Sequence, residues 1–263
     1  MRSVKSLAYL KRLPEVWRCV RQSYRPLAVT SRYLQVGTNG YPFSLRLRSG
    51  ITLVLNDFHD VVTAWVVFFR NEYEISQDVM TVVDLGANIG CFSLRVASEF
   101  PMARVIAVEP FPATVDRLAG HVRLNALQER IHIWRLAVAG GSSQRRMPAA
   151  GPGPSRGLLA AADEFRNTVS VSAISLSEVL SKACTAFGTQ TIDFLKMDIE
   201  GAEHEAVLAT PPSALKVIRR LGLEYHPNQP KTKLFNLLTN SGLHMEHDRV
   251  IGPDVGIAHF RRM

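Results

Sequence analysis

The stretch from Thr81 to Pro110 constrains this chain more than any other. "TVVDLG" is a short apolar run closed by an acid and a glycine. "NIGCFSLRVASEF" follows at helical spacing, and "RVIAVEP" is a second apolar run, closed by Glu109. Buried strand, glycine turn, helix and buried strand make up the unit of a parallel sheet, because parallel neighbours need a crossover that covers one face. The alternation continues with the helix "ATVDRLAGHVRLNAL", a third strand "IHIWRLAVA" and the helix "ISLSEVLSKACTAF", with Ser175 near its start. A fourth strand "TIDFLKMDIE", the helix "GAEHEAVLA", a fifth strand "VIRRLGLEYH" and the helix "PKTKLFNLLTNSG" come next, and the tail from His244 holds one or two more strands. The pattern predicts an α/β fold with a mostly parallel sheet and helices on both faces.

Upstream of that alternation the pattern changes. Residues 41–56 read as a hairpin, with Phe43, Leu45 and Leu47 alternating, Ser49-Gly50 turning, and Ile51, Leu53 and Leu55 returning. Val61 to Tyr73 is an apolar helix or strand leading into the main domain. Before the hairpin, Val4, Leu7, Leu10, Leu13, Val16, Trp17 and Val20 recur at helical steps, with Pro14 expected to divide the helix in two. These boundaries predict a basic helical arm over 1–38, a hairpin and lead-in over 39–76, and the main domain over 77–263.

Charge separates the arm from the rest. Residues 1–35 carry eight basic side chains against Glu15 alone, so the other 228 residues hold only one of the chain's eight net positive charges. A nucleic-acid enzyme shows a basic working face; this body is nearly neutral, which argues against a nucleic-acid partner. The arm is expected to pack on the domain, with peripheral contact to an anionic membrane through residues 1–35 as the alternative. The longest apolar run, Val61 to Phe69, is nine residues, where a spanning helix needs ~20, and Lys5, Lys11 and Arg12 interrupt any signal-peptide core. Three scattered cysteines, Cys19, Cys91 and Cys184, suit a reducing compartment. The expectation is a cytoplasmic protein.

In open parallel sheets, ligands sit beyond the carboxyl ends of the strands. There the first strand supplies "DLGANIG", with Asp84, Gly86, Ala87, Asn88 and Gly90, and the second supplies Glu109, placed to accept both hydroxyls of a ribose. A dinucleotide fold needs G-x-G-x-x-G to cradle a pyrophosphate, and this chain has D-x-G-x-x-x-G. That spacing argues against a nicotinamide dehydrogenase. An acid before the turn suits a cofactor with a cationic amino-acid end, as in S-adenosylmethionine (SAM).

With "VVDLGANIGCFS", "VIAVEPFP", "RLNAL", "DFLKMDIEGAE" and "LEYH", the chain resembles the FkbM family of class I SAM-dependent methyltransferases from Phe43 to its end. The resemblance implies a Rossmann-like, seven-stranded sheet. It also implies that Asp84, Gly86, Asn88 and Gly90 line the methionine end and that Glu109 holds the ribose. Pro110 and Phe111 would flank the adenine, with Ala137 and Val138 beside it. Asn125 matches a family position near the adenine, although a helix C-cap explains it equally well. The Gly/Pro-rich stretch 140–157 departs from the family, where a strand hairpin is expected. It reads as a surface insertion, or as a lid bringing Arg145, Arg146 or Arg156 to an anionic substrate.

On the acceptor side, Asp198 and Glu200 lie two apart at the end of the fourth strand, as do Glu224 and His226 at the end of the fifth. In extended chain each pair faces one way, so four polar groups converge at the sheet edge. Asp198 or His226 is the expected base or orienting group. Glu203 and Glu205 are read as helix-start acids, stabilised by about 0.3–1 kcal/mol each, without a catalytic role. Lys196 is expected to pair with a nearby acid. Asp198 and Glu200 without a third identified ligand do not make a metal site. The resemblance implies O-methylation of a sugar, glycolipid or polyketide-like acceptor. The rival reading is a catalytically silent SAM-binding or membrane-associated module.

Overall fold

The computed structural model describes residues 12–37, 40–75, 78–149, 167–226, 230–252 and 255–263. The first eleven residues of the arm and Arg156 lie outside them.

Two helices come first: α1 (Leu13–Gln22), with Pro14 in its first turn, and α2 (Pro26–Tyr33), which also opens on proline. Glu15 and Cys19 face inward, and Val16 packs against the core. Trp17 and Val20, which share the helical period with Val16, point outward. Strands β1 (Phe43–Arg46) and β2 (Thr52–Leu55) form the expected antiparallel hairpin, alternately buried and exposed. The stretch from Val61 is helical as far as Arg70. Helix α3 (Phe58–Ala64) is capped by Asp57, which accepts the Asp60 N–H, and passes into a π-helical turn over Trp65–Arg70 that ends where Asn71 turns left-handed.

The main sheet follows. Its strands are β3 (Thr81–Leu85), β4 (Arg104–Val108), β5 (Ile131–Trp134), β9 (Phe194–Met197), β10 (Arg220–Tyr225), β11 (Leu243–Gly252) and β12 (Val255–Arg262). Their order is β11-β12-β10-β9-β3-β4-β5, parallel from β10 to β5, with β12 and β11 antiparallel at one edge. Helices α4 (Cys91–Glu99), α5 (Pro112–Leu124), α6 (Leu176–Phe187), α7 (Glu203–Leu208) and α8 (Lys231–Asn240) join the strands. Ser175 caps α6 in a reciprocal box with Glu178. The inner parallel strands β3, β4, β9 and β10 are buried on both faces, and the sheet's side chains alternate between two cores. Val82, Val105 and Ile131 enter one; Val83, Leu85, Ile106 and Val108 enter the other.

Two expectations need correction. "IHIWRLAVA" is not one strand, because Leu136 N–H closes on Trp134 O (3.0 Å) and the chain leaves the sheet. The remainder, β6 (Ala137–Ala139), pairs with β8 (Thr168–Ser175), which also pairs with β7 (Ser143–Pro148). An apolar period of two runs through the break, so periodicity could not reveal it. The 140–157 stretch is likewise not wholly an insertion, since Ser143–Pro148 is a ladder strand, as the family hairpin requires. Arg145 within it donates to Glu205 (2.7 Å), so it is already paired.

Candidate active site

The loop after β3 is held from both neighbouring strands. Gly86 and Ala87 N–H groups both donate to Val108 O at 3.0 Å, and Asp198 N–H donates to Leu85 O at 3.1 Å. Gly86 adopts φ +73°, and a Cβ there would lie 1.7 Å from the Asp198 carbonyl oxygen. The first loop and the end of β9 therefore touch backbone to backbone, which only glycine permits. Gly90 (φ +91°) starts α4 where a Cβ would meet Leu118.

A pocket opens at this edge. Gly86 and Asn88 form its floor, and Val108, Phe111, Leu136, Val138 and Met147 form an apolar wall. Glu109, Pro110, Thr114 and Ala137 complete the sides, and Asp198, Ile199 and Glu200 form the lip. Glu109 accepts the Phe111 and Asn88 N–H groups, one on each oxygen at 3.0 Å. Each oxygen keeps a lone pair for a diol. Burial pushes this carboxyl up to about 7, against the pull of those two donors.

Several sequence-predicted residues lie elsewhere. Asp84 is fully buried beneath the loop, where Ser93 Oγ donates to it at 2.7 Å and Lys196 Nζ sits 3.2 Å away. Ala87 is buried outside the lining, and Gly90 acts through the turn. Asn125 belongs to the hairpin: its amide brackets Thr52, accepting the N–H and donating to the carbonyl, both at 2.8 Å. It also caps α5, so the cap reading holds and the adenine-side reading does not.

The acceptor side gathers residues from two strands and the lead-in. Strand β9 ends at Met197, and Glu200 is left-handed (φ +53°), followed by Gly201 (φ +97°). The extended-chain argument for Asp198 and Glu200 thus fails, yet a tight turn brings both to the pocket lip. Tyr73 Oη, buried, donates to Glu224 (2.7 Å) and lies 3.3 Å from Asp198 Oδ2. Lys196 donates to Leu85 O and Gly86 O and sits 3.6 Å from Asp198. Burial would lower its pKa, but Asp84 and Asp198 hold it well above the ordinary range.

His226 joins this group in a different role from that expected. Its Nδ1 meets Glu203 at 3.1 Å and its Nε2 lies 3.5 Å from Glu200. Burial alone would lower its pKa; the hydrogen bond to Glu203, with its charge, raises it to about 9. The ring is therefore cationic near neutrality and poorly suited to act as a base. Glu203 is more than a helix-start acid. It is fully buried, holds His226, and accepts the Ile199 and Gly201 N–H groups. Glu205 remains outside the site, bonded to Arg145 and Gly140. Burial first, then Asp198, pushes the Glu200 and Glu224 carboxyls upward.

Sequence reading missed Tyr73, 125 residues from Asp198, because "FRNEYEI" carries only loop polarity. Glu203 was hidden by a sound reason for an acid at that position. One atom each of Asp198, Glu224 and His226 lies within 4.8 Å of the others, a set that shares only Asp198 with the Asp198–Glu200 pair read from the sequence. These groups could hold a divalent cation. Tyr73, Lys196 and Glu203 already contact them without one.

Residues 84–251 match the family described as the methyltransferase FkbM domain. Methyltransferase sdnD of Sordaria araneosa is 28% identical over 196 residues, covering 64% of this chain and 75% of that protein. The AMB antimetabolite synthetase AmbE of Pseudomonas aeruginosa is 29% identical over 193 residues, covering 61% of this chain but only 9% of that protein. A crystal structure of methyltransferase FkbM from Methylobacillus flagellatus aligns with 97% of this chain and 60% of its own, at 16% identity and TM-score 0.48. With well over half its length inside the family match, this chain belongs to the FkbM methyltransferases, enzymes that take their methyl group from S-adenosylmethionine.

Proposed function

We propose that this enzyme methylates a neutral hydroxyl on a sugar, glycolipid or polyketide-like acceptor. The observation that carries this reading is the acidic lip. Asp198, Glu200 and Glu224 converge beside the cofactor pocket, where they would repel an acceptor carboxylate or phosphate but accept a proton from a hydroxyl. The pocket chemistry fits the cofactor: an apolar wall for a flat base, Glu109 lone pairs for a ribose diol, and carboxylates facing a cationic sulfur. When bound, SAM supplies a methyl group on a positively charged sulfur, open to in-line displacement. On this reading Gly86, Asn88, Glu109, Pro110 and Ala137 hold the cofactor, with Asp84, Ala87 and Gly90 shaping the loop. Asp198 accepts the acceptor proton, Tyr73 keeps Glu224 and Asp198 aligned, and His226 with Glu203 orients Glu200. On this reading the chain divides into arm (1–38), lead-in (39–76) and domain (77–263), with Tyr73 of the lead-in working with the domain.

The test is transfer of a tritiated methyl group from SAM into lipid, polysaccharide and small-molecule extracts. Label in a base-stable ether supports hydroxyl transfer. Label released by mild base as methanol would mean a carboxyl acceptor and overturn it. Because the reading needs no metal, turnover is expected to survive EDTA; loss that magnesium restores would move Asp198, Glu224 and His226 to a metal role.

The titrating groups give a further prediction. His226, raised from 6.5 to about 9, contributes stability that is complete below pH ~6.5 and lost as pH rises through about 9, roughly 3 kcal/mol. Glu200 and Glu224 act in the same direction, because ionising crowded, buried carboxyls costs the folded state as pH rises. Apo-protein Tm is therefore expected to fall between pH 6.5 and 9. SAM affinity should do the opposite, weakening roughly ten-fold from pH 8 to pH 6 as Glu109 takes up a proton near 7. Circular dichroism melts and calorimetry across this range check both; a flat Tm profile would contradict the charge assignment.

A further inference from the structure

The face of α1 turned away from the domain is as apolar as the face turned in. Leu13, Trp17 and Val20 recur at steps of four and three, which places them on one side of the helix, and Tyr24 follows just past its C-cap, Ser23. They are 55%, 63%, 43% and 58% exposed. Three residues further on, Leu27 is 84% exposed. Of the sixteen large apolar side chains exposed among the described residues, seven lie between Leu13 and Val36. A surface helix ordinarily turns a polar face to water, so a second apolar stripe needs a partner.

The inner face already holds the helix in place, so the outer stripe has no route to burial by rotation. Glu15 accepts the Trp65 Nε1–H at 2.6 Å and pairs with Arg70 at 3.2 Å. Arg18 donates to the Phe69 and Arg70 carbonyls at 2.7 and 2.9 Å. These contacts also sort the charge. The arm's one acid is turned inward, while Arg12, Arg21 and Arg25 are exposed and Arg48 lies 4.9 Å from the Tyr24 ring. An apolar stripe with Trp and Tyr, rimmed by arginines and carrying no outward acid, complements one chemistry closely. Lipid surfaces take aromatic rings at headgroup depth and attract cations when anionic.

We propose that Leu13, Trp17, Val20, Tyr24 and Leu27 dock this enzyme onto an anionic lipid surface, with Arg12, Arg21, Arg25 and Arg48 meeting the headgroups. No helix among the described residues is long and apolar enough to span a membrane, so the contact is peripheral. This goes beyond the acceptor assignment and does not depend on it.

The test is sedimentation of the full chain with vesicles of one part phosphatidylglycerol to three parts phosphatidylcholine, against phosphatidylcholine alone. Binding is expected to the anionic vesicles at low salt and to weaken at 0.5 M salt. Arg21→Ala and Arg25→Ala should each lower the partition coefficient about five-fold. Trp17→Ser with Leu27→Ser should lower it at least ten-fold while the melting curve stays essentially unchanged, because both side chains are exposed. Wild-type protein left in the supernatant with anionic vesicles would overturn the proposal, as would unchanged sedimentation of the double variant. Two results without lipid binding would also overturn it: self-association abolished by the same substitutions, which gives the face to a second copy, and retention on RNA. No methyl-transfer assay enters these readouts, so their failure leaves the acceptor reading intact.

Discussion

Asp198→Asn is expected to lower methyl transfer by ~10²–10⁴-fold with a much smaller loss of SAM affinity, because it removes the base and, with it, one charge facing Lys196 and the cofactor. Asn matches Asp in shape and can still accept from Tyr73 Oη, 3.3 Å away. The residue's backbone stays tied to Leu85 O. What disappears is the lone pair able to take a proton at the pocket lip. Steady-state kinetics on the labelled acceptor and calorimetry with SAM separate the two effects; wild-type turnover in Asp198→Asn would remove Asp198 from the chemistry. His226→Gln should behave differently. It strips the partner from Glu203, a fully buried carboxylate, and breaking such a pair typically costs about 3–5 kcal/mol. Its main signature should be lost stability, with turnover per folded molecule less affected.

Gly86→Ala carries the largest expected structural cost. The new methyl group would sit 1.7 Å from the Asp198 carbonyl oxygen, and the neighbour is backbone, which cannot swing aside. Left-handed φ adds about 1–2 kcal/mol and forced separation of packed elements a further ~1–3 kcal/mol. The sum, about 2–5 kcal/mol, predicts a Tm lower by roughly 5–20 °C in a domain of this size. The cofactor consequence should be larger still. Pushing the β3 loop from the end of β9 moves the pocket floor and the Asp198 lip apart together, so calorimetry should show no SAM binding at micromolar concentrations. A Gly86→Ala variant that binds SAM normally would mean the two loops are not mutually fixed as described. Gly120→Ala is a matched control, since nothing lies within 4 Å of a Cβ there.

The sheet was legible because each inner parallel strand is buried on both sides, and a run such as "TVVDLG" next to a helical pattern admits few other readings. The loop glycines and Glu109 were legible for a similar reason: their positions follow from where strands end. Asp84 was read as a site residue because position along the chain says nothing about depth. The structure buries it against Ser93 and Lys196, outside the pocket lining. Asn125 and His121 were tied to the hairpin by contacts to Thr52 and Val54, 73 and 67 residues away, which periodicity cannot report. Glu203 shows the opposite difficulty. Helix-start electrostatics explained an acid there so well that nothing prompted a search for the buried histidine partner 23 residues on. Charge placement had its own ambiguity in the arm. Periodicity put Val16, Trp17 and Val20 in one stripe of α1, and only packing separated Val16 from Trp17 and Val20.

The small sheet β6-β8-β7 keeps a core of its own, made of Ala137, Ala139, Met147, Val171 and Ala173 and separate from the two cores of the main sheet. Yet Ala137 and Met147 also face the pocket. Repacking these five side chains can therefore shift Ala137 and Met147 at the pocket without entering either core of the main sheet. Substitutions in such separate clusters combine nearly additively with changes elsewhere. Sequence drift in β7 and β8 can reshape the pocket while Gly86, Glu109 and Asp198 stay where the main sheet holds them. The fit of the wall around the cofactor's base can therefore be tuned without passing through either core of the main sheet.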